Sequence, residues 1–409
     1  MCNSSQCLLT RSGGAGSGSG NTVIGITTPP TGYLGILALS SLQRGDPLKL
    51  RLNRTGTRID EYTVYFDSLY SGGERLVLLN TGSDLFIGAG DSGSPVLTSD
   101  GKVVAALCYG WRDNKRFFAA RAIEDLLALQ NLPSALREGA LKYGNFEQLG
   151  LSGSAVKLRQ DGSFFSSSYS SMPDLNAEGF KSESLLRSSG STLSGLQPGN
   201  TIAIAEVYGD LALIAAYGTV SYNLGSEWLA FGHNYASSGE QISKPVFKAK
   251  MVTMIDTSPL PRKLTQAYGS VAGAMSSDYF EGIRIKSGGT AKTIDAATLI
   301  SYQNLTKSYA HKVAYDIDQK FGATTLSYAL SAGVDYRLNS VVRPGSASGS
   351  LVIVYDNSST DNRTLSLSSA DITQSLFTKL HDEFVDNKTS YSSYRSIKSV
   401  DLQIDITTD

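Results

Sequence analysis

Short segments with an apolar residue at every second position constrain this chain more than any other feature. In VFKAKMVTMI, Phe247, Ala249 and Met251 alternate with Lys248 and Lys250. That is the period of a strand with one face in a core and one in water. Comparable runs recur: LGILAL from Leu34, PLKLRLN from Pro47, EYTVYFD from Glu61, ERLVLLN from Glu74, NTIAIAEVYG from Asn200 and GIRIK from Gly282. Gly, Ser, Thr and Tyr are abundant, and strong helix formers are sparse over long stretches. The chain is expected to be mostly β.

At 409 residues it exceeds what one domain usually holds, and its texture divides it. Residues 1–22 read as a flexible Gly/Ser tail. Residues 23–134 read as a first β block closed by a helix, AIEDLLALQ, with Ile123, Leu126 and Leu127 at helical spacing and acids in the first turn. Residues 135–195 are polar, Ser/Gly-rich and aperiodic, a long connection. Residues 196–289 form a second β block. Residues 290–409 mix strands with a helix, SSADITQSLFTKLHDEF, and read as an α+β domain. There a Ser368-x-x-Asp371 pattern suggests the cap, and Ile372, Leu376, Leu380 and Phe384 form a stripe for a core.

Several function classes drop out. Lysine plus arginine, 36, nearly equals aspartate plus glutamate, 37, so no field draws nucleic acid. The most apolar long run, Thr201 to Val220, is interrupted by Glu206 and Asp210, so no transmembrane helix is expected. No HExxH or Cys/His cluster has metal-ligand spacing, no nucleotide fingerprint follows a strand, and no cofactor is expected. Three cysteines make no disulfide framework. Cys2, in the opening MCNSSQC, suggests a mature lipoprotein lipidated there, with the Gly/Ser run as tether. The bland alternative is a tail of no special role.

The stretch Gly88 to Trp111, GAGDSGSPVLTSDGKVVAALCYGW, carries chemistry. Acyl transfer needs a hydroxyl standing on a tight turn, and Gly90 and Gly93 permit that turn around Ser92. The N–H groups of Gly90 and Ser92 can then converge on the oxygen of a tetrahedral intermediate, an oxyanion hole worth roughly 3 kcal/mol of barrier. Pro95 ends the turn, and a hairpin through Ser99, Asp100 and Gly101 follows. A nucleophilic serine needs a base, and the chain has three histidines. His381 lies on the amphipathic helix and His311 in the C-terminal region. His233, after glycine at the end of the apolar run EWLAFGHN, is left as the base.

Gly90 to Pro95 resembles the Gly-Asp-Ser-Gly-Gly-Pro signature of the chymotrypsin-like serine peptidases, with Ser94 replacing the second glycine. The resemblance implies two chymotrypsin-like β-barrels, here with the serine-bearing block before the histidine-bearing block. It also implies that Cys108, Tyr109 and Gly110 form the wall that pairs with a peptide substrate, with Phe86 at the specificity position. The second block, in LQPGNTIAIAEVYGDLALIAAYGTVSY, WLAFGH, KPVFKAKMVTMID and GSVAGAMSSDYFEGI, resembles the stage IV sporulation protein B peptidases and their longer bacterial relatives. Those place a PDZ module first and run histidine before serine; this chain shows neither feature. The swapped order is tolerable because a triad is defined by geometry.

The resemblance implies an acid at Asp278, in MSSDYFEG. Asn80 and Asp84 compete, by analogy with the sporulation enzyme, and a Ser–His dyad stays open. Asp210 and Asp256 read as turn residues, and Asp91 as a brace of its own loop. The expectation is a bacterial, extracytoplasmic serine endopeptidase (periplasmic, surface-bound or secreted) acting on protein substrates, itself among them. The alternative is a catalytically silent peptidase-fold protein used for binding or surface assembly.

Overall fold

The computed structural model describes residues 7–10, 23–26, 34–70, 75–111, 114–128, 155–157, 192–211, 213–235, 243–255, 261–314, 319–338, 342–385 and 397–408. The expectations for Cys2, Asp256 and most of 135–191 fall on residues outside these ranges.

Strands β1 (Cys7–Thr10) and β2 (Val23–Ile26) pair with each other. The first barrel follows: β3 (Pro47–Thr55), β4 (Arg58–Tyr70), β5 (Leu76–Asn80), β6 (Pro95–Leu97), β7 (Val103–Trp111) and β8 (Asn114–Ala122). The order is β6-β3-β4-β5-β8-β7, and β6 pairs with β7 to close it. In β3, Leu48, Leu50 and Leu52 are buried between the less buried Lys49 and Arg51, as the period of two requires. β7 is buried at every residue, because one face lines the barrel and the other is covered. Part of that cover is α1 (Ile123–Ala128), which packs Ile123, Leu126 and Leu127 with Val103 and Ala106. LGILAL departs from the expected strand. It makes one bridge, Ile36 to Val103, then turns into a 3-10 helix at Leu39–Ser41, whose Leu39 N–H donates to Glu124 of α1. A short strand, β9 (Ala155–Lys157), lies on β7 outside the closed barrel.

The second barrel comprises β10 (Thr201–Gly209), β11 (Leu213–Asn223), β12 (Glu227–Ala230), β13 (Lys244–Ile255), β14 (Arg262–Tyr279) and β15 (Gly282–Ser287). Its order, β11-β12-β15-β14-β13-β10, closes through β10 and β11. Ile202, Ile204, Val220, Trp228, Val246, Met275, Ile283 and Ile285 fill it. Both barrels have the same connectivity. Counting strands from each barrel's start, the circuit runs first, second, third, sixth, fifth, fourth. The fold is two antiparallel six-stranded barrels of the chymotrypsin-like kind, followed by an α+β unit.

That unit is β16 (Thr293–Tyr302), β17 (Leu305–Ala314), α2 (Gln319–Arg337), β18 (Gly345–Tyr355), β19 (Thr360–Ser369), α3 (Ile372–Val385) and β20 (Ile397–Thr408). β17 pairs with β10, so its sheet continues the second barrel's. β16 and β20 run parallel. The stripe Ile372, Leu376, Leu380, Phe384 is buried with residues of α2 and the sheet. The cap of α3 differs from the expected one. Asp371 is the residue that accepts, from the Gln374 N–H at 3.1 Å, while Ser368 stays in the β19 ladder opposite Ser346. No helix among the described residues is long and apolar enough to cross a membrane.

Candidate active site

Identical connectivity gives the two barrels equivalent slots. Ser92 lies in the connection from the third to the fourth strand of its barrel, β5 to β6, and His233 in the same connection of its own, β12 to β13. The barrels meet so that these connections interlock. The Thr219 N–H donates to the Ser92 carbonyl at 2.8 Å, and the Thr219 hydroxyl to the Gly90 carbonyl at 3.0 Å. A Cβ on Gly93 would come within 2.5 Å of the Phe231 nitrogen, and one on Gly232 within 2.9 Å of the Ala106 carbonyl oxygen. These glycines are spacers: only a bare backbone lets the Ser92 turn and the Phe231–His233 turn approach so closely. Phe231 has a φ of 73°, and Gly232 a φ of 65°. A bulky residue in that region stores strain. Its ring is held in place over Gly218, whose missing Cβ leaves the room.

Within the Ser92 loop the backbone donors divide into two sets. Asp91 N–H donates to Gly88 O, Gly93 N–H to Leu107 O and Ser94 N–H to Asp91 O. The N–H groups of Gly90 and Ser92 have no acceptor among the described residues. Gly90 and Gly93 take φ of 94° and 90°, which only glycine adopts without strain. Ser92 is 1 % exposed, and its Oγ makes no hydrogen bond among the described residues. Buried polar groups without partners are rare in proteins and call for a reason.

His233, also 1 % exposed, has Nδ1 2.8 Å from the Asn234 carbonyl oxygen. A carbonyl oxygen only accepts, so Nδ1 carries a proton in this contact. Asp278, near the end of β14, is fully buried, and its Oδ1 accepts the Tyr235 N–H at 2.6 Å. The predicted acid is thereby tied to the turn that bears the histidine. Its rivals are placed otherwise. Asp84 is largely exposed and pairs with Arg116 at 2.7 Å. Asn80 is half-buried in β5 opposite Tyr65. Asp210 accepts from the Ala310 N–H at 2.9 Å, at the junction with the C-terminal sheet. Beside the histidine turn, Tyr235 and Lys244 both bond the Glu206 carboxylate, Lys244 to its Oε1 at 2.6 Å.

The residues expected to form a peptide-pairing wall, Cys108, Tyr109 and Gly110, are buried in β7. Cys108 Sγ donates to the Ala119 carbonyl at 3.4 Å. An extended segment already lies antiparallel on this edge: Tyr109 pairs with Lys157, Gly110 with Val156 and Trp111 with Ala155. Phe86 is exposed beneath the Lys115 ammonium, 4.3 Å from the ring centroid. Sequence reasoning missed β9, and it missed the cations that meet Asp91, namely Lys263 of β14 and Arg54 of β3. No local signal marks such residues, because they are brought in from other strands. No protein-family model, no curated protein and no solved structure matches this chain.

Proposed function

We propose that this chain is a serine endopeptidase with Ser92 as nucleophile and His233 as general base. The observation that carries the reading is the division of N–H groups in the loop. Of the five amides from Gly90 to Ser94, the two without an acceptor among the described residues are that of the nucleophile, Ser92, and that of Gly90 two residues before it, a pair that suits an oxyanion hole. His233 Nε2 would take the Ser92 proton as Oγ attacks the scissile carbonyl. The Gly90 and Ser92 amides would hold the negative oxygen. The imidazolium would then return the proton to the leaving amine, and water would release the acyl group by the same route. The Asn234 carbonyl fixes the imidazole tautomer, and Asp278 holds the turn. The substrate is an extended peptide, in keeping with the edge of β7 that already takes a strand at Tyr109–Trp111. The resemblance to the sporulation peptidases supports a bacterial, extracytoplasmic setting and few protein substrates, the chain itself among them.

The rival, a silent peptidase-fold binding protein, draws on the burial of Ser92 and on β9 occupying the edge. A fluorophosphonate probe separates the two. The enzyme reading expects labelling of Ser92, lost in Ser92→Ala and in His233→Ala, and faster in a variant with residues 155–157 replaced by Gly-Ser-Gly. Absence of labelling in both the wild type and the replaced variant would sink it.

A further inference from the structure

Asp91 and Lys263 meet at 2.9 Å, and both side chains are 0 % exposed. The carboxylate belongs to the first barrel and the ammonium to the second. Arg54 of β3 adds a second cation at 3.1 Å, and the Gly88 N–H donates to the same carboxylate at 3.0 Å. Burial by itself would raise the Asp91 carboxyl, but the charges of Arg54 and Lys263 and the bonds it accepts hold it below the usual carboxylate range. Removing such charges from water is costly, and a pair of this kind is better explained by what it positions than by net stability.

Its location says what is positioned. Asp91 stands between Gly90 and Ser92, the two residues whose N–H groups have no acceptor. Lys263 engages the loop at three levels. Its backbone N–H donates to the Ala89 carbonyl at 2.9 Å, and the Ala89 N–H donates to the Pro261 carbonyl at 2.8 Å. Its stem packs against Gly90, where a Cβ would lie 3.3 Å from the Lys263 Cβ and Cδ. Its ammonium reaches Asp91, with Thr201 and Thr219 hydroxyls at 3.4 and 3.5 Å.

We propose that Lys263 is the positioning residue of the nucleophile loop, a clamp from the second barrel that fixes the Gly90–Ser92 amides of the first. The loop then has its working geometry only when the barrels are docked, so their docking is itself a control of activity. The proposal depends on the serine-hydrolase reading only for the chemistry being positioned; the clamp is a statement about the loop.

The experiment uses the full chain, with Lys263→Met and the charge-neutral pair Asp91→Asn/Lys263→Met. The pair guards against Lys263→Met failing to fold around a carboxylate left with Arg54 as its remaining cation. Amide hydrogen exchange over residues 88–94 is read beside fluorophosphonate labelling. The clamp predicts exchange at 88–94 faster by at least about tenfold in the pair, with protection of β16–β20 unchanged. It also predicts that the maximal inactivation rate falls by ~100-fold, the usual effect of losing one oxyanion donor, with the probe's half-saturating concentration unchanged. Unchanged exchange at 88–94 overturns the proposal. So does a loss of labelling that comes wholly from weaker probe binding. If neither the wild type nor the variant with residues 155–157 replaced labels, the hydrolase reading falls, and exchange alone decides the clamp: faster at 88–94 supports it, unchanged refutes it.

Discussion

The joint between the two barrels and the joint between the second barrel and the C-terminal sheet are built by different means. The first is made of turns and side chains. It includes the Asp91–Lys263 pair, the Thr219 bonds to Ser92 and Gly90, and a reciprocal pair of backbone bonds between Gly56 and Met251. The second is a backbone ladder, with Val207, Tyr208 and Gly209 of β10 opposite Val313, Lys312 and His311 of β17. Each joint holds a buried histidine. His233 presents Nδ1 to the Asn234 carbonyl oxygen at 2.8 Å. His311 spends Nε2 as acceptor of the Leu211 N–H at 3.2 Å, and burial pulls its pKa down to about 4, against the pull of Asp210. The two buried histidines thus differ in which ring nitrogen the backbone occupies, Nδ1 in His233 and Nε2 in His311.

The contrast can be broken most sharply at the histidines. His233→Ala is expected to slow turnover of a peptide substrate by ~10⁴-fold or more, while His311→Gln leaves it within about twofold. Equal losses in the two variants, measured as initial hydrolysis rates, would erase the distinction between the joints. Next in size is the charged clamp. Lys263→Met alone should cost about 3–5 kcal/mol in urea unfolding, because it strands part of a buried carboxylate's compensation, and adding Asp91→Asn should recover most of it. A loss that the second substitution does not repair would mean that Lys263 acts by packing alone.

The second joint has its own signature in acid. His311 is neutral in the fold, and its pKa falls from the model-peptide 6.5 to about 4, so the unfolded chain binds the proton first. The contribution of neutral His311 is fully present above pH 6.5 and is lost as pH falls toward about 4, amounting to about 3 kcal/mol by linkage. Urea melts at pH 7 and pH 4.5 should show this loss in the wild type and lack it in His311→Gln. The smallest effect belongs to Gly209→Ala. A Cβ there would lie 2.6 Å from the His311 Cα, so the ladder must shift, at about 1–3 kcal/mol. Probe labelling of Ser92 should be unaffected, whereas Gly93→Ala, which crowds Phe231, should reduce it. Similar labelling in the two glycine variants would show that the barrel seam tolerates movement.

Much of this molecule was legible before folding was considered. Period-two strands such as Phe247–Met251 fall where alternation puts them, and the α3 stripe is buried as its spacing requires. Gly90 and Gly93 announced a turn that only positive φ can make. The failures have local causes. α2 went unread because its Gly, Ser and Thr content resembles a turn-rich segment; it is helical because Leu326, Ala329, Leu330 and Val334 bury against the sheet. LGILAL looked like a strand, but Leu39 is drawn off toward Glu124.

Sequence by itself determined the periodicities, the tight turn at Ser92 and the short list of histidines, because each is written in residues a few positions apart. Only the tertiary structure decided which cations meet Asp91, which segment lies on the edge of β7, and which nitrogen of each histidine is occupied. Those outcomes join Lys263 to Asp91 and Tyr109 to Lys157. Pairing across such separations is set by how closed barrels dock, and docking leaves no trace in any window of neighbouring residues.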